Sequence, residues 1–202
     1  MSEAEAAAGR RSRTPSADVE RELVSAAEAV LVRDGPGALT VRAVAAEAGI
    51  APMGVYNRLG GKTGLLEALL VKGFDRLRAA IEGGGEPDMR ARLVACGLRY
   101  REFALANQHF YAIMFEGAIP HKLDSEEVGE HAGAAFEALV RNVELAAAAG
   151  VIAAPDPLDA AQQIWSALHG AVALELKGLV QTPDPEATYR ALLETTLRGL
   201  AS

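Results

Sequence analysis

Residues 49–66 read GIAPMGVYNRLGGKTGLL, and the fold turns on how this stretch is read. Between Gly49 and the pair Gly60-Gly61 there is room for about two and a half helical turns at ~3.6 residues each. Tyr56, Asn57 and Arg58 nevertheless follow one another within it. A helix too short to bury much, yet crowded with contact-making side chains, is built to present them.

Upstream, Thr40 is placed to cap a short helix, VRAVAAEA, in which Val41, Val44, Ala45 and Ala48 share one side and Gly49 is the stop. A capped short helix, a tight turn and a second short helix make a helix-turn-helix, whose second helix enters the major groove of DNA. Ala45 falls where the two helices cross, Gly49 permits the positive φ of the turn, and Ile50, Val55 and Leu59 seat the second helix on the first. Pro52, Met53, Gly54, Asn57 and Arg58 are left facing outward. Asn57 suits adenine and Arg58 guanine, each worth roughly 1–3 kcal/mol of discrimination in good geometry, while Met53 and Pro52 suit thymine methyls. Tyr56, Lys62 and Thr40, with the amides at the start of Thr40's helix, suit phosphate oxygens, and Arg42 joins this DNA-binding set.

The stretch TVRAVAAEAGIAPMGVYNRLGGKTGLLEALL resembles the DNA-binding head of the TetR family of transcriptional regulators. The resemblance rests on Thr40, Val44-Ala45, Ala48-Gly49-Ile50, Gly54-Val55-Tyr56, Leu59, Lys62 and Leu65-Leu66, and with the first helix it covers about residues 16–70. It implies a homodimer that binds a near-palindromic operator and lets go when a small molecule occupies the other domain. Two features depart from the usual pattern. Leu59 replaces the commoner Phe, and Gly60-Gly61 leave a glycine as the cap of the next helix, which predicts a looser entry to it.

Helix signals recur along the remaining chain and no strand is expected. Val19, Leu23, Ala26, Ala27, Val30 and Leu31 follow helical spacing up to Asp34-Gly35-Pro36-Gly37. A stripe from Leu65 to Ile81 runs to Gly83-Gly84-Gly85, and further helices are expected over about 88–106 and 107–117. GAIPHKLDSE reads as an irregular connection, and Asp124 with Glu127 as a capping box for a helix ending at Gly150. Asp156-Pro157 and Asp184-Pro185 each supply an N-cap and a first-turn proline. The expectation is an all-α chain of about nine helices: a disordered arm over 1–15, a three-helix DNA-binding domain over 16–64, and a ligand-binding and dimerisation domain over 65–202. Small residues in the last two helices, among them Ala161, Ala167, Gly170 and Ala173, favour pairing of two copies as a four-helix bundle.

The net charge of -7 argues at first against nucleic acid. Residues 10–62, however, hold eight basic and six acidic side chains, so the head stands at +2 and the rest of the chain at -9. The local value governs a polyanion held within a Debye length of ~8–10 Å. No apolar run approaches the ~18 residues of a membrane span, and the N-terminus lacks the apolar core of a secretory signal, so a cytoplasmic protein without membrane contact is expected. Cys96 stands alone in an apolar stretch and reads as a buried inert thiol. The four histidines show no metal spacing, so neither metal nor cofactor is expected.

In the body, Tyr100, Phe103, Phe110, Tyr111 and Phe115, with Met114, crowd into sixteen residues of a chain that is only 5% aromatic. At helical spacing such a stripe is more often core than cavity, and an apolar pocket with a few polar groups draws on the same residues. Trp165 and His169 lie four apart, on one face of a helix, with Gly170 beside them. IWSALHGAVALEL and ANQHFYAIMFEG resemble the Trp-His-Gly subgroup of TetR-like C-terminal domains. Tyr100, Phe103, Phe110, Met114, Trp165 and His169 are therefore the candidates for binding an apolar small-molecule effector, with Glu175 as a nearby charge. An enzyme is the first rival reading, but no nucleophile–base, phosphate-loop or metal signature supports it. The second is an all-helical protein-interaction module without DNA binding, against which exposed Met53, Asn57 and Arg58 weigh.

Overall fold

The computed structural model describes residues 16–117 and 125–201. It is all-helical among them: α1 Ser16–Asp34, a single 3-10 turn at Pro36–Ala38, α2 Val41–Glu47, α3 Pro52–Leu59, α4 Lys62–Glu82, α5 Met89–Ala106, α6 Gln108–Phe115, α7 Glu126–Ala148, α8 Pro157–Leu176 and α9 Pro185–Gly199. The arm expected over 1–15 and most of the irregular connection lie outside the described residues.

Side-chain caps set the helix starts. Thr40 Oγ1 accepts from Ala43 N at 3.1 Å, Asp88 from Ala91 N at 2.7 Å, Asp156 from Leu158 N at 3.0 Å and Asp184 from Ala187 N at 2.9 Å. Each such cap contributes about 1 kcal/mol. The box expected from Asp124 is corrected: the cap of α7 is Ser125, whose hydroxyl accepts from Val128 N, and Asp124 lies outside the described residues. Glu126 and Glu127 then occupy the first turn, where carboxylates oppose the positive end of the helix.

Helix α4 is the spine. Leu65, Leu66 and Leu69 near its start pack into the core shared with α1 and α3, while Phe74, Leu77 and Ile81 near its end face α5 and α7. Among the described residues Asn142 of α7 is the only buried polar one, at 4% exposure, and it secures that far end. Its amide donates to the carbonyls of Ile81 at 3.2 Å and Ala138 at 3.1 Å, and its Oδ1 accepts from Arg92 Nε at 2.7 Å. Arg92 also donates to the Glu82 carbonyl, so the last turn of α4 is capped by α5 and α7 rather than by water.

Helices α5, α8 and α9 meet at Gly97. A β-carbon there would stand 2.8 Å from Leu193 and 3.1 Å from Leu168, and the Tyr189 hydroxyl donates to the Gly97 carbonyl at 2.8 Å. Beside this crossing Arg101 donates from Nε and Nη2 to the two oxygens of Glu175, at 2.8 and 2.6 Å, tying α5 to α8. Glu175 is thus a paired charge.

Candidate nucleic-acid interface and the cavity behind it

The turn between α2 and α3 is built as the sequence requires. Gly49 adopts φ 66°, and Ile50 N donates to Ala45 O at 2.9 Å, which closes the end of α2 and directs the chain into Pro52 at the start of α3. Val55 and Ala45 are buried where the two helices meet. Pro52, Met53, Tyr56, Asn57 and Arg58 are exposed, Met53 to 64% and Tyr56 to 55%. Gly54 is half-buried, with Ile50 Cδ1 only 2.8 Å from where its β-carbon would stand. It therefore lets α3 close on the turn instead of presenting an outward face.

Thr40, Arg42 and Lys62 are exposed on the same domain. The Thr40 oxygen accepts the cap bond, which leaves its O–H proton to donate. Lys62 opens α4 directly after Gly60 and Gly61, both at positive φ, with no side-chain cap on the helix start. The glycine cap is as expected. The Tyr56 ring lies over Gly61, and the first turn of α4 approaches the Leu59 carbonyl at Gly64 more closely than any β-carbon would allow.

The head is joined to the body by charge as well as by packing. Glu28 of α1 accepts from Lys72 at 2.5 Å and Arg76 at 2.6 Å, both on α4. Burial alone would raise the Glu28 carboxyl, and these two hydrogen-bonded cations outweigh it and hold it below its ordinary range. The Arg76 guanidinium also sits 5.3 Å over the Phe110 ring of α6. At the start of α6, His109 lies against Gly35 at the end of α1.

Behind these links is an apolar cavity of about 290 Å³, walled by α4 through α8. Of the six sequence candidates, Tyr100, Met114 and Trp165 line it. Phe103 and Phe110 do not: both are core side chains, and Phe110 packs on Gly73 and under Arg76. His169 stands one layer out, stacked on Tyr111 with ring centroids 5.5 Å apart and edge-on to Phe115 at 5.2 Å. Sequence reasoning left out the α4 wall of Phe74, Leu77 and Ile81, together with Phe136 and Leu139 of α7. Cys96 also lines the cavity, and burial pushes its thiol up to about 11, so it remains a neutral, inert wall.

One polar cluster touches this space. The hydroxyls of Tyr100 and Tyr111 lie 2.8 and 2.9 Å from the same atom, His169 Nδ1. Burial raises both tyrosines and lowers His169, so the cluster is neutral, with two phenolic protons and an imidazole that is not charged.

An exposed helix-turn-helix joined to a helical body that encloses an apolar cavity defines a DNA-binding regulator with its own ligand-sized compartment. Comparison with known proteins agrees. Residues 23–69 match the model for bacterial regulatory proteins of the tetR family, and residues 93–196 match the tetracyclin repressor-like C-terminal domain. The chain belongs to the TetR family of transcriptional regulators. A solved protein of unknown function from Rhodococcus sp. RHA1 is 31% identical, covering 96% of this chain and 100% of its own, with a TM-score of 0.82. An uncharacterized helix-turn-helix-type transcriptional regulator of Mycobacterium tuberculosis is 26% identical over 91% of this chain and 83% of its own. PfmR, a TetR family transcriptional regulator from Thermus thermophilus, shares the fold at a TM-score of 0.65 and 21% identity, over 89% of this chain and 98% of its own. The family is one of regulators and not of enzymes. Among the described residues no helix is long and apolar enough to cross a membrane.

Proposed function

We propose that the chain is a repressor that binds a near-palindromic operator as a homodimer and releases it when an apolar small molecule fills the cavity. The observation that carries this reading is that α4 and α6 each belong to both parts. Helix α4 packs under the DNA-binding helices at one end and walls the cavity with Phe74, Leu77 and Ile81 at the other. Helix α6 lines the cavity with Met114 and Phe115 and reaches the head through His109, which lies against Gly35. A ligand that prefers one arrangement of these helices shifts the operator equilibrium by its differential affinity, typically ~1–3 kcal/mol of coupling.

In this reading Asn57 and Arg58 read bases, with Met53 and Pro52 at thymine methyls and Gly54 giving α3 its close seat. Tyr56, Lys62, Thr40 and Arg42 hold phosphates. Pairing of copies falls to α8 and α9. Leu158 and Leu174 of α8 are 58% and 50% exposed, and α9 leaves Ala187, Ala191 and Thr195 open. Exposed apolar and small side chains on two adjacent helices support a self-complementary bundle.

The test is to incubate the purified chain with a library of random duplex DNA at moderate salt and sequence what is retained. Enrichment of a two-fold palindrome is expected. A folded sample that retains no specific sequence would count against the operator reading and bring the protein-interaction module forward.

A further inference from the structure

The cavity also carries information about its occupant, on the footing that it is where the effector binds. Its size is the first constraint. An apolar cavity of about 150 Å³ holds benzene, so one of about 290 Å³ takes a molecule of roughly twice that bulk.

Charge is the second. Among the described residues no ionised side chain lines the cavity, and the charged groups around it bond to protein partners. Arg92 is bonded to Asn142 and the Glu82 carbonyl, and Arg99 donates from Nη1 to Glu86, its Nε and Nη2 being buried without a partner. Glu116 is held by Lys177 at 3.2 Å, and Asp75 by His131 at 2.7 Å. A bound ion of either sign would lose its hydration and meet no ionised side chain at the wall.

Wall chemistry is the third. Phe115 and Phe136 flank Trp165, with ring centroids at 6.2 and 5.8 Å, and Phe74 meets Phe115 edge-on at 5.8 Å. All four rings line the cavity and offer edges and faces to another ring.

Polarity is the fourth, and it follows from counting protons. An uncharged imidazole nitrogen has either one lone pair or one proton, so His169 Nδ1 bonds fully with only one of the two hydroxyls that reach it. Tyr111 is fully buried and does not line the cavity, whereas Tyr100 does. With Tyr111 serving His169 Nδ1, the Tyr100 proton can turn to a guest without orphaning that nitrogen. The cavity therefore has a phenolic hydrogen to give.

We propose that the cavity selects an uncharged aromatic molecule of two-ring bulk with a single hydrogen-bond acceptor, a carbonyl or ether oxygen, held by the Tyr100 hydroxyl.

The test uses the full chain and three probes of one shape, titrated by calorimetry: 2-acetylnaphthalene, 2-ethylnaphthalene and 2-naphthoate. Quenching of Trp165, the only tryptophan, places a bound probe at the cavity wall. The ketone should bind best and quench. Tyr100→Phe should weaken the ketone about tenfold while leaving the hydrocarbon unchanged, a contrast that a general loss of folding would not give. Naphthoate binding as tightly as the ketone, equal losses for ketone and hydrocarbon in Tyr100→Phe, binding without quenching, or no binding by any probe would each overturn the proposal. The ketone is then added to a protein–operator complex. A ketone that binds and quenches but leaves the operator held upholds this ligand class and counts against release by cavity filling, so the two failures are told apart.

Discussion

A β-carbon at Gly64 would overlap the carbonyl oxygen of Leu59. The first turn of α4 approaches the backbone at the end of α3, and the obstructing atom cannot rotate away. Alanine is favoured over glycine in a helix by about 1 kcal/mol, but overpacking against a fixed group costs roughly 1–3 kcal/mol, so the steric effect should win. Gly64→Ala is expected to lower the denaturant midpoint and to weaken duplex binding by tilting α3. Gly133→Ala, in α7 with nothing within 4 Å of the new carbon, should be neutral or mildly stabilising. Equal behaviour of the two variants would refute the contact.

Asn57 and Lys62 should separate by kind of effect. Asn57→Ala is expected to change which duplexes are preferred, at roughly 1–3 kcal/mol for the affected base pair. Lys62→Ala should weaken all duplexes alike and reduce the slope of log affinity against log salt by about 1. Binding selections and salt titrations on both variants measure this, and uniform losses from both would remove the assigned division of labour.

Asn142→Ala leaves the Ile81 carbonyl and Arg92 Nε without their partner in a buried site. The expected destabilisation is roughly 2–4 kcal/mol, well above that of an exposed substitution. Urea unfolding checks it, and a change below about 1 kcal/mol would show that the end of α4 is held by packing alone.

His169 supplies a pH dependence whose sign is fixed. Burial holds its folded value below the ordinary 6.5, with Lys177 lowering it further and Glu116 opposing. Below 6.5 the unfolded chain takes up a proton that the folded chain refuses, so stability is full above that value and is lost as pH falls from it towards the folded value. Urea midpoints measured between about pH 5 and 8 should show this slope in the wild type and a reduced one in His169→Gln. Identical slopes would place the ring in a solvated setting.

Much of this molecule can be read from residue types at fixed offsets. Thr40, Asp156 and Asp184 announce their helices because a cap bond is local, spanning two or three residues. Asp124 misleads because Ser125, one step on, is an equally good cap and sits where the chain enters α7. The cavity is harder to foresee. Tyr100 and Phe103 belong to one aromatic run, but three residues place them about 60° apart around α5, and only Tyr100 meets the space. Phe74, Leu77 and Ile81 have the spacing of an ordinary core stripe, and a stripe looks the same whether it faces a side chain or a void. The sharing of His169 Nδ1 by two tyrosines joins positions 100, 111 and 169, and no periodicity encodes such a meeting.

Helix α4 runs unbroken for 21 residues, about 30 Å at 1.5 Å per residue. In the proposed mechanism it would act as a lever, with the cavity at one end and the DNA-binding helices at the other. A tilt of about 5° over ~30 Å carries the far end by 2–3 Å, close to the ~3.4 Å step between successive nucleotides. In a pair of copies moving symmetrically the two displacements add, against groove centres fixed about 34–36 Å apart. A guest no larger than two rings would thus have leverage enough to spoil the fit by moving the head as a whole, without unfolding any element.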